Sequence, residues 1–161
     1  MTEYINIPTL VTATVIAIFT SFISVNIALR KYKSEKWWDI KTTCYISIIE
    51  ALNNIIIYCD LWIDENLDGK PVCQDTLNKY NTEFKNSKLL LDKQMNIGKL
   101  LLSDQTYKIL LDLVNSLSKS DDMTDITQSI ASIRCEVEEC LHLLIPYAKK
   151  DLKITNSFLD K

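Results

Sequence analysis

The chain has 161 residues, of which 47% are hydrophobic, and a formal net charge of −3. This length suits one domain of ordinary size and is short for two. All 18 Lys and Arg residues lie at or after Arg30, together with 20 of the 21 acidic residues. A nearly neutral domain without a basic stripe lacks the pattern that binds phosphate backbones, which argues against nucleic acid as a partner.

The first predicted element is a membrane-spanning helix. The residues from Ile5 to Leu29 include no charged side chain, and we place the span at 7–29, after a short extracytoplasmic N-terminus at 1–6. A helix of about 25 residues reaches roughly 37 Å, enough to cross a hydrocarbon core about 30 Å thick. A buried helix of a soluble protein or a cleaved signal peptide fits less well, since such runs are rare in cores and no basic residue precedes this one.

Basic residues after the span predict its direction. Arg30, Lys31 and Lys33 lie in a juxtamembrane segment at 30–40, whereas no Lys or Arg precedes the span. Positive residues near membrane ends stay in the cytoplasm, so we expect the N-terminus outside and the domain at 41–161 in the cytoplasm.

Aromatic residues extend this predicted membrane interface. The rings of Trp37 and Trp38 suit the headgroup layer next to the basic residues. Helical spacing equally allows Trp38 to begin the core of the domain.

Small residues form a stripe on the span. Ala13, Ala17 and Ser21 recur every four residues. This spacing lets two helices approach closely in lipid, so we expect the span to associate with the span of a second copy.

Four amphipathic helices are predicted in the cytoplasmic domain, each with apolar residues at steps of three and four. The four apolar faces comprise Tyr45, Ile48, Leu52, Ile55, Cys59 and Trp62; Leu77, Tyr80, Phe84, Leu91 and Met95; Tyr107, Leu110, Val114 and Leu117; and Ile126, Ile130, Ile133, Val137, Cys140 and Leu144. Nothing between Arg30 and Lys41 forbids a helix, so the first can continue unbroken from the span. The predicted fold class is all-α, with a transmembrane helix followed by a roughly four-helix bundle.

Local signals predict where these helices begin and end. Turn-forming residues at 64–71 separate the first two helices, and Gly98 is expected to break or loosen the second. Ser103 should cap the third helix, with the Asp104 carboxylate near its positive end. A polar linker at 118–122 precedes the fourth helix. Pro146 should end or kink that helix.

The turn after the first helix has the D-x-N-x-D-G spacing of a calcium loop. The candidate oxygen ligands are Asp64, Asn66, Asp68 and Asp75. Against calcium, Asp replaces the longer Glu at the twelfth position, Pro71 occupies the eighth, and the chain has no second loop. An acidic turn between two helices accounts for the same residues, and calorimetry without calcium heat would rule out the site.

No catalytic constellation is visible in the sequence. His142 is the single histidine, and neither Cys140 nor Cys135 shares its helix face, which argues against zinc. No nucleophile stands beside a base, and the two glycines form no phosphate loop, so no small-molecule substrate is indicated. Five cysteines without a paired framework fit a reducing compartment.

Short motifs carry a resemblance to a group of known proteins. They are KWWDIK at 36–41, IIEAL at 48–52, GKLLLS at 98–103 and AKKDL at 148–152. With these motifs the chain resembles uncharacterised small bacterial single-pass membrane proteins with a cytoplasmic helical domain. The resemblance implies a bacterial inner membrane and transfers no activity.

Three hypotheses for function follow. The first is a non-enzymatic, membrane-tethered helical module that contacts the bilayer and binds a partner protein or itself. The second is a membrane-perturbing effector of a toxin or phage-defence system, suggested by polar residues along the span. The third is a calcium-responsive regulator that uses the 64–75 loop.

Overall fold

The computed structural model of the chain describes residues 7–120 and 125–154. Its helices are α1 (Ile7–Asn66), α2 (Gln74–Leu101), α3 (Asp104–Ser120) and α4 (Ile126–Asp151). No strand occurs in these two ranges, which confirms the all-α prediction. The predicted N-terminus at 1–6 lies outside the described residues, as do residues 121 and 122 of the predicted linker.

The chain divides into two compact units, Met1–Ile40 and Lys41–Lys161. In the first unit, α1 is long and apolar enough to cross a membrane: its most apolar 18-residue window has a mean hydropathy of 1.9 and no buried residue. Helix α1 continues without a break through residues 30–41, as the sequence allowed.

A single hydrophobic core lies in the second unit and includes side chains from all four helices. Its most deeply buried members are Tyr45, Ile48, Leu52, Ile55, Cys59, Leu91, Leu110, Val137 and Leu144. Each of these belongs to an apolar face predicted from helical spacing. Ile126 does not follow the prediction, because it is the first residue of α4 and remains 64% exposed. Trp38 is 48% exposed and is not a member of this core.

The helix ends follow from local chemistry. The Ser103 hydroxyl accepts a 3.4 Å hydrogen bond from the Thr106 backbone N–H at the start of α3, as predicted for a cap. Asp125 caps α4 by accepting hydrogen bonds from the backbone N–H groups of Thr127 and Gln128. Gly69 turns the chain after α1 with a φ of +64°, a conformation that glycine adopts without strain.

Neither Gly98 nor Pro146 ends its helix, whereas a loosened turn at Gly98 and a kink at Pro146 stay predictions. Helix α2 continues through Gly98 to Leu101, because this glycine is buried and leaves space for the Leu102 side chain, whose Cδ1 would lie 2.8 Å from an added Cβ. Helix α4 continues through Pro146 to Asp151. Pro146 is on an exposed face, where water can satisfy the carbonyl that loses its N–H partner.

The first three residues of the predicted linker belong to α3. Helix α3 includes residues 118–120, and the described chain resumes at Asp125. A Ser118 hydroxyl hydrogen bond to the Val114 carbonyl, 3.0 Å long, satisfies this polar side chain inside the helix.

Candidate functional site

The apolar side chains of the first unit are exposed along α1. Between Val11 and Leu29 the large hydrophobic side chains are 48–69% exposed, and Phe22 is the most exposed of them. Such a continuous apolar surface is far larger than the scattered hydrophobic residues that soluble surfaces carry. This surface needs an apolar environment to cover it.

Several polar side chains in the same stretch form hydrogen bonds within the helix. The hydroxyl of Thr20 donates to the carbonyl of Ile16 at 2.8 Å, and the amide of Asn26 donates to the carbonyl of Phe22 at 2.9 Å. Hydrogen bonds to the preceding turn lower the cost of placing such groups in lipid.

The predicted packing residues Ala13, Ala17 and Ser21 all lie on exposed positions of α1. The Ser21 hydroxyl donates to the Ala17 carbonyl at 2.8 Å, so the serine side chain folds back along the helix. The stripe therefore presents a narrow surface that would permit close approach of another helix.

The predicted interface residues Arg30, Lys31, Lys33, Trp37 and Trp38 also occupy exposed positions of α1. At about 100° per residue they cover roughly 160° of the helix circumference. Both tryptophans thus lie on the same side as basic residues one or two turns earlier. This combination of charge and amphipathic rings suits a headgroup layer.

The acidic turn is organised around a lysine. Lys70 Nζ lies 2.6 Å from Asp64 Oδ1 and 3.0 Å from Asp68 Oδ2, and these hydrogen bonds raise the pKa of Lys70. The Asn66 amide donates to a carbonyl of α1, and Asp75 lies in the first turn of α2. Within the described ranges, no three His, Cys, Asp or Glu residues are grouped to hold a metal. Lys70 therefore occupies the place between carboxylates where the sequence suggested calcium, which stays a prediction.

Cysteines differ by their burial. Cys44, Cys59 and Cys140 are buried, and burial raises the pKa of Cys59 and of Cys140 to about 12. Cys73 and Cys135 are exposed. Backbone N–H groups at the start of α2 lower the pKa of Cys73, which makes it the more reactive exposed thiol.

A polar network inside the second unit connects α1, the start of α3 and the end of α4. The Tyr45 hydroxyl donates a 2.5 Å hydrogen bond to Asp151 Oδ2 and lies 3.3 Å from the Thr106 hydroxyl. The Ser103 backbone N–H donates to the same carboxylate oxygen at 3.0 Å. Lys41 Nζ lies 3.5 Å from this oxygen. The network thus joins residues separated by up to 110 positions of sequence.

The surroundings of this network fix the protonation of its two central groups. Burial, followed by the hydrogen bond to Asp151, raises the pKa of Tyr45. Burial acts to raise the pKa of Asp151 as well, but hydrogen bonds from Tyr45 and Ser103 and the charge of Lys41 outweigh it and hold that pKa below its ordinary value. At neutral pH a neutral phenol therefore donates to an ionised carboxylate, which is a stabilising link between helices.

Sequence reasoning placed Tyr45 on a core face but missed this network. One signal for it existed: Asp151 is the last residue of α4, where the helix dipole disfavours an anion. A carboxylate in that position indicates a compensating partner elsewhere in the fold. Its identity depends on which helices pack together.

An open groove runs between α3 and α4. Its volume is about 280 Å³, and its lining consists of Ile109, Asp112, Leu113, Ser116, Glu136, Glu139, Cys140 and Leu143. The Ser116 hydroxyl donates to Glu136, which also accepts a 3.0 Å hydrogen bond from Ser132. Asp112 and Glu139 are exposed and form no ion pair with any residue in the described ranges. The groove therefore combines an apolar floor with uncompensated negative charge.

Comparison with known proteins adds no relative to this description: no family model matches the sequence, and no curated protein or solved structure matches it.

Proposed function

We propose that the protein is a non-enzymatic, single-pass membrane module whose cytoplasmic domain, a four-helix bundle, binds a partner protein or a second copy. The observation that carries this proposal is the exposed, uncharged apolar surface of α1 between Val11 and Leu29. In water this surface would be strongly unfavourable, whereas a bilayer would cover it at no hydrophobic penalty.

Satisfaction of the polar groups supports a passive anchor. The side chains of Thr20, Ser21 and Asn26 bond to carbonyls of their own helix. These bonds reduce the number of polar groups that could line an aqueous path, which favours the anchor over the membrane-perturbing alternative.

Asymmetry of charge supports the direction of insertion. Arg30, Lys31 and Lys33 follow the span, and no basic side chain precedes it. The proposed orientation places the N-terminal end of the span outside and the domain in the cytoplasm. The resemblance of the short motifs to bacterial proteins favours the inner membrane of a bacterium.

The chemistry of the domain supports an interaction role. The thiols of Cys59 and Cys140 are protonated at neutral pH because their pKa values are about 12, and Tyr45 and Asp151 satisfy one another. None of these four side chains is an activated nucleophile or a general base. What the domain offers instead are surfaces.

Fractionation of the full-length protein tests the membrane anchor. The wild type should sediment with membranes in the absence of detergent and resist an alkaline wash. The double substitution Ile16→Lys and Phe19→Lys should release it, because each charge at the centre of a span costs about 2.5–3.5 kcal/mol on insertion scales. The matched variant Ile16→Leu with Phe19→Leu should remain in the membrane. Recovery of the wild type in the supernatant contradicts the proposal.

Purification in a mild detergent tests the interaction role. Light scattering coupled to size exclusion should find the full-length chain in a stoichiometric complex with a partner or with itself. A monomer without any stoichiometric partner at micromolar concentration argues against this function.

A further inference from the structure

The second unit has an exposed apolar face with positive charge on α2, which we call the α2 face. Its apolar members are Leu89, Ile97 and Leu100, which are 68%, 40% and 83% exposed. At about 100° per residue, Lys93 lies between these side chains on the helix circumference, and Lys85 lies one turn before Leu89. Both lysines are exposed, and so is Asp92, which lies about 60° from Leu89 on the same side, so these three side chains leave a net positive charge. Leu100 at 83% exposure is the least covered large hydrophobic side chain in the described ranges.

The α3–α4 groove is complementary to this face in charge. The groove is lined by Asp112, Glu136 and Glu139 and by no lysine or arginine. Asp112 and Glu139 have no ion-pair partner among the described residues, and the same holds for Lys85 and Lys93. Uncompensated charges of opposite sign on two apolar surfaces steer them together and disfavour like surfaces.

The groove is about as long as the part of the α2 face between Leu89 and Ile97. The groove residues lie between Ile109 and Ser116 on α3 and between Glu136 and Leu143 on α4, at steps of three and one. On each helix they extend over about two turns, or roughly 10 Å. The α2 face from Leu89 to Leu100 extends about 16 Å along its helix, of which Leu89 to Ile97 takes about 12 Å. The volume of about 280 Å³ is below the range of typical small-molecule pockets but suits a few docked side chains.

We propose that the α3–α4 groove binds the α2 face of a second copy of this chain. The mode is a helix laid in a groove, with leucine and isoleucine side chains against Ile109 and Leu143 and lysines beside the carboxylates. In a two-fold pair each copy supplies both surfaces, so that the contact occurs twice. This inference rests on the proposed function and names the partner of its interaction surface.

Charge-reversal substitutions on the two surfaces test this contact between full-length chains in nanodiscs. Donor- and acceptor-labelled copies are mixed and their energy transfer is measured for three pairs: wild type with itself, Asp112→Lys/Glu139→Lys with itself, and Lys85→Glu/Lys93→Glu with itself. We expect transfer for the wild type and at least a tenfold weaker association for each variant with itself, because like charges then meet. Mixing the two variants should restore transfer, since every reversed charge regains an opposite partner.

Controls separate this contact from other effects. Glu50→Lys with Glu83→Lys raises the net charge as much as Asp112→Lys/Glu139→Lys does, at positions away from both surfaces, and should associate like the wild type. Association through the span would be equal in every pair and therefore cannot produce the selective pattern. Equal transfer in all pairs, no transfer for the wild type, or failure of the mixed variants to associate overturns the inference. Co-sedimentation of all variants with membranes leaves the anchor intact in each of these outcomes, whereas loss of the wild type from membranes contradicts the proposed function itself.

Discussion

Removal of one hydroxyl at Tyr45 should measure the strength of the polar network. The substitution Tyr45→Phe retains the buried ring, so it creates no cavity and deletes the hydrogen bond to Asp151. A hydrogen bond to a charged group contributes about 1.5–3 kcal/mol. The Asp151 side chain is 13% exposed and keeps the Ser103 N–H and Lys41, so its charge is not left unpaired. We therefore expect a loss of about 1.5–2 kcal/mol, in the lower part of that range.

Urea denaturation of the full-length protein in mild detergent, followed by circular dichroism at 222 nm, provides the assay. With a denaturant slope of about 1.5 kcal/mol/M, the midpoint for Tyr45→Phe should fall by about 1 M. The matched control is Tyr58→Phe, which retains the ring contact with Phe84, 4.6 Å between centroids, and for which the described structure gives no hydroxyl partner. Equal midpoints for the two variants would refute the reasoning.

The pH dependence follows from the signs of the two pKa shifts. Because the pKa of Asp151 is lowered by folding, its stabilisation is present above the ordinary value of 3.8 and is lost as pH falls through the folded value. The pKa of Tyr45 is raised, so its contribution is present below the ordinary value of 10.0 and declines above it. The difference in free energy of unfolding between the wild type and Tyr45→Phe should therefore be largest between about pH 3.8 and pH 10.0. It should become smaller in acid and in alkali. A difference independent of pH would contradict the assignment.

Three further predictions concern the core, the acidic turn and the exposed thiols. Ile48→Ala, at 0% exposure, should lower the free energy of unfolding by about 2–5 kcal/mol, whereas Ile46→Ala, at 50% exposure, should change it little in the same urea assay. Lys70→Gln should leave the urea midpoint unchanged because exposed ion pairs contribute little, and a lowered midpoint would show a larger role for this turn. In cells that express the protein, a membrane-impermeant maleimide should label these thiols only after the cells are permeabilised. It should then label Cys73 faster than Cys135 near neutral pH, because the pKa of Cys73 is lowered. Labelling of intact cells would reverse the proposed orientation.

Helical spacing was a sound guide to the core because it depends on local geometry. Tyr45, Ile48 and Leu52 recur at steps of three and four, and all are buried. The cap at Ser103 could be predicted for the same reason, since its hydroxyl accepts a hydrogen bond from a backbone N–H only three residues later. Ile126 shows the limit of this reasoning, because the first turn of a helix can extend beyond the packed region.

Helices α2 and α4 continue through Gly98 and Pro146 for a tertiary reason. Residue propensity alone disfavours helix at both positions. Beyond Pro146, however, Ala148 and Leu152 are buried in the core, and their packing maintains the last turns of α4. Around Gly98, the Leu102 side chain uses the space that any larger residue would occupy.

What the sequence by itself determined was the character of each segment: the uncharged stretch from Ile5 to Leu29, the basic flank after it, and the apolar side of each helix. These properties depend on neighbours within two helical turns. Only the tertiary structure decided that Tyr45 meets Asp151 and that α3 and α4 leave an acidic groove between them. Apolar faces pack through non-directional forces that do not specify their partner, whereas contacts across a hundred residues depend on the final arrangement of all helices.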